Sequence, residues 1–109
     1  MTLEHFPFQT VDWTTIPREQ RHGESGFAYW QVMKMNNIRV RLVEYSPGYK
    51  ADHWCVKGHV LHCFEGEMKT ELEDGRVMDM KAGMTYFVGD NDEPHRSSTT
   101  TGCKLFIVD

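Results

Sequence analysis

No apolar run in this sequence approaches the ~20 residues of a membrane-spanning helix, so no membrane association is expected. A signal-peptide pattern is missing too: MTLEHFPFQTVDW has neither a basic start nor an apolar stretch of the needed length. Cysteine is scarce. Three is an odd number, which argues against a disulfide framework, and free thiols suit a reducing cytoplasm. Positive charge is in deficit: 12 Lys and Arg against 16 Asp and Glu leave a formal net charge of −4. No basic stripe is present to neutralise phosphates, so nucleic acid is not an expected partner. A helical rhythm is missing as well. No segment sustains apolar residues at 3.6-residue spacing between caps.

Turn signals fill the space that helices would occupy. RHGESG, MNN, SPG, VKG, FEGE, EDGR, KAG, GDNDEP and TTTG fall roughly ten residues apart, with runs rich in Val, Ile, Phe, Tyr and Thr between them. This is the pattern of an all-β sandwich or barrel. FAYWQVMKM and IRVRLVEY flank Asn36-Asn37, and EMKTELE and RVMDM flank Asp74-Gly75, both hairpin signals. TYFV and KLFIVD read as further strands, the last apolar on both faces and so expected to be covered on both. PREQRHGESG, residues 17–26, reads as a loop. At 109 residues one domain, 1–109, is expected, with an aromatic N-terminal arm over 1–16.

One stretch stands apart. KADHWCVKGHVLHC, residues 50–63, holds three of the six histidines and two of the three cysteines. On an extended strand His53 and Cys55 share one face and Trp54 takes the other. Beyond a turn at Val56-Lys57-Gly58, His59, Leu61 and Cys63 share a face while Val60, His62 and Phe64 share the opposite one. Pairing of the two strands would bring His53, Cys55 and His59 together. Imidazole and thiolate are good ligands for borderline first-row metals.

The spacing around this cluster resembles a known pair of motifs. Gly48-x4-His53-x-Cys55-x3-His59-x6-Gly66, over 48–66, is similar to the first cupin motif, and Gly83-x5-Gly89-x-Asn91-x3-His95-x3-Thr99, over 83–99, to the second. ADHWC with KGH, EPHRSST and LFIVD resembles the DHCW-motif cupins, whose activity is unassigned. The resemblance implies a cupin-type jelly-roll β-barrel with a metal inside, and it recruits His95 as a further ligand. The chain departs from the general motifs in carrying Cys55 at a histidine position and His59 at the glutamate position.

The resemblance thus implies His53, Cys55, His59 and His95 as the metal set. One divalent transition metal is expected, zinc or iron first, with nickel, cobalt or copper next. If all four bind, the site is a closed tetrahedron, as in structural or sensing sites; if Cys55 stays off the metal, three histidines leave positions open for chemistry. The first alternative makes the protein a non-catalytic metal- or ligand-binding module. The second makes it an enzyme of unknown reaction, dioxygenase-like or isomerase-like, acting on a small molecule in the barrel. A third, metal-free alternative pairs Cys55 with a histidine as a thiolate–imidazolium nucleophile.

Other residues are read more plainly. Arg39 and Arg41 share a face opposite Ile38, Val40 and Leu42; a solvated face is expected for them, the alternative being a bidentate grip on a substrate carboxylate. Glu93 reads as a loop carboxylate, Tyr49 and Tyr86 as packing aromatics, Cys63 and Cys103 as small core residues, His5 and His22 as surface. Trp13, Trp30, Trp54 and Phe106 are candidates for a sheet-on-sheet contact, and family habit implies a homodimer.

Overall fold

The computed structural model describes residues 2–109. Eight strands make an antiparallel jelly roll: β1 Glu19–His22, β2 Phe27–Met35, β3 Ile38–Tyr45, β4 His59–Leu72, β5 Val77–Lys81, β6 Thr85–Val88, β7 His95–Ser98 and β8 Cys103–Val108. One part of the sheet runs β1-β2-β3-β8, then the first half of β4, then β6. The other joins the second half of β4 to β5 on one side and β7 on the other. The inner faces of the two parts enclose the core.

The core is what period-two alternation makes it. Val43, Leu61, Cys63, Leu105 and Ile107 come from β3, β4 and β8 and meet Met68, Met80 and Cys103. Each large aliphatic buried here contributes about 1.5–3 kcal/mol. The two hairpin turns sit where their residues require. Asn36 adopts a φ of 42° and Gly75 a φ of 97°, the left-handed region that such turns need.

HVLHCFE and EMKTELE are one strand rather than two. β4 runs through Gly66 and there passes from one sheet part to the other: Gly66 pairs with Cys103, and the next residue, Glu67, pairs with Lys81. Gly66 has a φ of 76°, and an added Cβ would lie 2.3 Å from the Gly102 carbonyl oxygen and 2.9 Å from the Cys103 Cα. Both obstacles are backbone and cannot swing aside. Gly66→Ala should therefore cost about 3 kcal/mol or more, from backbone strain and overpacking together. Urea denaturation would show it as a lowered midpoint, and an unchanged midpoint would refute this account of the crossover.

Three expectations change. Residues 17–26 carry β1, an exposed edge strand whose fully polar sequence hid it: it pairs with β2 through its backbone, with Arg21 laid over Trp30 at 4.3 Å. KADHWC is not a strand. Lys50 makes isolated bridges to Ser25 and Ser98 and Cys55 one to His95, with bends at Asp52 and His53 between them. The last strand is buried on one face only: Leu105 and Ile107 are enclosed, while Phe106 is exposed. The N-terminal arm turns back on its own chain. Gln31 donates to the Trp13 and Ile16 carbonyls at 2.6 and 2.9 Å, and Asn36 donates to the Glu4 carbonyl at 2.8 Å.

Candidate metal centre

Three donor atoms meet inside the barrel. A thiol sulfur of Cys55 and ring nitrogens of His59 and His95 all lie within 4.8 Å of one another. Each reaches that point by a different route. His59 opens β4 and faces inward with Leu61 and Cys63, as alternation requires. His95 opens β7 and is buried. Cys55 is fixed to His95 by backbone: its N–H donates to the His95 carbonyl at 2.7 Å, and the His95 N–H donates back at 3.0 Å. The partner of Cys55 is thus β7 rather than β4.

The loop after Cys55 is held against 88–91. Gly58 N–H donates to Asp90 Oδ1 at 2.7 Å, and Asn91 N–H to the Val56 carbonyl at 2.8 Å. A Cβ on Gly58 would fall 2.5 Å from Asp90 N, so only glycine allows this approach. Cys55 and His95 are set by the same backbone clasp.

His53 is not brought into the trio. Its side chain is 77% exposed and its Nδ1 sits 2.6 Å from Asp52 Oδ1. It lines the same cavity nearer the rim. His62 faces outward, as expected, and bonds Thr85 Oγ1 at 2.8 Å.

The ring orientations suit a metal. His95 Nδ1 lies 2.8 Å from the Glu93 carbonyl, which can only accept, so Nδ1 carries the proton and Nε2 presents a lone pair. Nδ1 of His59 points at Asp109 Oδ2 at 3.6 Å, too long for a hydrogen bond, and is buried with no closer partner. The two Nε2 atoms then face each other at 3.1 Å. With the His59 proton on Nδ1 the two lone pairs repel unless a cation lies between them; with it on Nε2 the contact is an ordinary hydrogen bond to His95. Two nitrogens bound to one ion at ~2.0–2.1 Å lie roughly 3.0–3.4 Å apart, so the observed gap fits shared ligation. The Tyr86 hydroxyl stands 2.9 Å from His59 Nε2. Burial pushes that phenol well up, keeping it a donor at neutral pH.

The remaining electrostatics follow from contact and burial. Contact with the His95 ring holds the Cys55 thiol below its ordinary value, against the effect of burial. The same contact holds the His95 ring above its own ordinary value. Burial lowers His59. Cys63 and Cys103 are buried and shifted upward by desolvation, Cys103 to about 12, as inert core thiols should be.

Behind His59 lies a charge cluster that reverses one expectation. Arg41 is 7% exposed in its side chain and points inward, so the arginine face of β3 is the interior face and not a solvated one. The reason is Asp109, a carboxylate with no exposed side-chain surface. Arg39 grips it with Nε at 2.9 Å and Nη2 at 3.1 Å, and Arg41 Nη2 donates at 3.0 Å. Burial raises the Asp109 carboxyl, but the His59 and Arg39 contacts and the two arginine charges outweigh it and hold it well below the usual carboxylate range. Trp30 also faces in, with Arg41 4.5 Å from its ring centre, which removes it from any outer contact. Trp54 stacks on Arg96 at 4.4 Å, and Arg96 is paired with Glu71 at 3.0 Å.

Sequence reasoning gave Asp109 no role. The signal was available: it has the parity of Leu105 and Ile107, so the alternation that buries them buries a carboxylate too. Trp30, Arg39, Arg41, Tyr86 and Arg96 line a cavity of about 250 Å³ with the donor trio on its wall.

No family model matches the sequence, and no curated protein does. Solved structures do. A predicted oxalate decarboxylase from Thermotoga maritima is 18% identical, with 92% of this chain and 96% of that chain covered at a TM-score of 0.79. A polyketide cyclase from Streptomyces resistomycificus is 20% identical, with 94% and 78% covered at 0.77. A sugar phosphate isomerase of a cupin superfamily from Silicibacter pomeroyi is 16% identical, with 92% and 74% covered at 0.74. At these identities the likeness shows the fold alone.

Proposed function

We propose that this chain, which has the cupin fold, is a metalloprotein that holds one divalent transition ion through Cys55, His59 and His95 and takes a small molecule in the cavity beside it. The convergence of those three donors on the cavity wall carries the reading. Three protein ligands leave coordination positions open, as catalytic sites do, and the reading is therefore an enzyme, with dioxygenase-like or isomerase-like chemistry on a small substrate. Zinc or iron suits a mixed imidazole–thiolate set best, with nickel, cobalt and copper as further candidates. A bound ion supplies Lewis acidity toward an oxygen-bearing ligand.

The chain's own residues do the rest. The Glu93 carbonyl orients the His95 ring, Asp109 stands behind His59, Tyr86 offers a proton-bearing hydroxyl beside His59, and Trp30, Leu61 and Ile107 supply apolar wall. His53 is the one fourth donor from the same segment. If it swung inward the site would close, which is the second reading: a structural or sensing centre.

Cobalt(II) substitution separates the two. A thiolate charge-transfer band that is absent in Cys55→Ser and unchanged in His53→Ala is the expected result. A spectrum altered by His53→Ala would support the closed site, and a band indifferent to Cys55→Ser would remove the thiolate from the ion.

A reducing cytoplasm fits three free cysteines. Among the described residues, no helix is long and apolar enough to cross a membrane. A homodimer is part of the same reading. Its support is the outer sheet face, where Phe64, Phe106 and Phe87, the last 74% exposed, stand uncovered. A clean monomer by light scattering at micromolar concentration would overturn it.

A further inference from the structure

The cavity is charged against the grain of the chain. The protein carries 12 Lys and Arg and 16 Asp and Glu, yet Arg39, Arg41, Lys57 and Arg96 line the cavity and no carboxylate does. Their counter-charges stand behind the wall or beside it. Asp109 is fully enclosed and shared between Arg39 and Arg41, so two guanidinium groups are balanced by one carboxylate. Glu71 pairs with Arg96 and is not part of the lining. Lys57 makes no ion pair among the described residues.

One donor is left over. Arg41 Nε is buried with no hydrogen-bond partner, although Nη2 of the same group is bound to Asp109. Trp30 fixes the plane from one side, with Arg41 4.5 Å and Arg39 5.6 Å from its ring centre. That N–H is closed off from anything the size of a water molecule, so what Arg41 offers a ligand in the cavity is its positive charge. The cavity volume, about 250 Å³, is below the ~300–1,000 Å³ typical of drug-sized ligands.

The geometry points to a small organic acid as the molecule this cavity takes, with its carboxylate received by Arg41, Arg96 and Lys57 and the rest of it directed toward the donor trio. The inference rests on the reading of this cavity as the ligand site and names the ligand's class. A planar carboxylate matches guanidinium donors in number and shape, and Tyr49, Leu61 and Ile107 offer it apolar wall. A neutral ligand of the same shape would leave the excess positive charge without an anion.

Calorimetric titration of the full metal-loaded chain tests this. The probes are small mono- and dicarboxylic acids, each beside its neutral amide, with inorganic phosphate as a further anion. At least one acid should bind at least about tenfold more tightly than its amide. Lys57→Gln and Arg96→Gln should each weaken it about fivefold at unchanged metal content. Arg41 is spared because its loss disturbs a buried ion cluster. Amides binding as tightly as acids, phosphate binding more tightly than every acid, or no acid binding at all would overturn the inference. Metal is counted on the same samples. A metal-free chain that still prefers acids would sink the metal reading and leave this one standing; a metal-loaded chain without that preference would do the reverse.

Discussion

Replacing Asp109 by asparagine should lower the stability of the fold by about 3–5 kcal/mol, because it strands the buried Arg41 and takes away the partner of the half-buried Arg39. The carboxylate accepts three hydrogen bonds from Arg39 and Arg41 and has no exposed side-chain surface. Asparagine keeps the shape and loses the charge. Its amide nitrogen would also turn a donor toward guanidinium donors. Thermal melting should fall by on the order of 15 °C or more. The pH dependence carries a sign. The folded-state pKa of Asp109 is depressed, so its contribution is fully present above the unfolded value of about 3.9 and fades as pH falls through the folded value. The gap between wild type and Asp109→Asn should therefore be constant near neutrality and narrow in acid well below pH ~4. Equal melting temperatures at neutral pH would show that the arginines find other partners.

His95→Ala should remove the stabilisation that metal gives. Metal that binds only the folded state stabilises it by about 4 kcal/mol at a thousandfold excess over Kd. The wild-type chain should thus melt substantially higher with added zinc, and His95→Ala should show almost no shift. Two features make His95 the decisive position for this test. Its tautomer is fixed by the Glu93 carbonyl, and its backbone holds Cys55 in place. Removing the ring takes away one donor and leaves the clasp intact, so loss of the zinc response would report on ligation and not on the loop. His53→Ala, at the exposed rim, should keep the full shift under the three-donor reading. An undiminished zinc response in His95→Ala would place the ion elsewhere.

Much of this was legible from alternation. The division of β4 into one face with His59, Leu61 and Cys63 and another with Val60, His62 and Phe64 emerges from strand periodicity with no other information. Alternation assigns residues to two faces without saying which face is inside. For β3 the aliphatic side looked like the core, and the arginine side is. Only Asp109, nearly seventy residues away in sequence, makes a buried Arg41 tolerable, and that pairing is a tertiary fact. His53 shows the opposite limit. Its placement beside Cys55 assumed an extended strand over 50–55, but that segment is tied to β7 by single bridges with a bend at His53. Period two does not apply within a bend. His95 was reachable through motif resemblance alone, since nothing local marks a histidine after Glu93-Pro94 as an inward ligand.

The central claim is that Cys55, His59 and His95 bind one transition ion. Element analysis of the purified chain after reconstitution with zinc or iron(II), beside His59→Ala and His95→Ala, tests it most directly. The account predicts about one ion per chain in the wild type and less than about a tenth in either variant. A wild-type chain that retains less than about a tenth of an equivalent of any transition metal would contradict it.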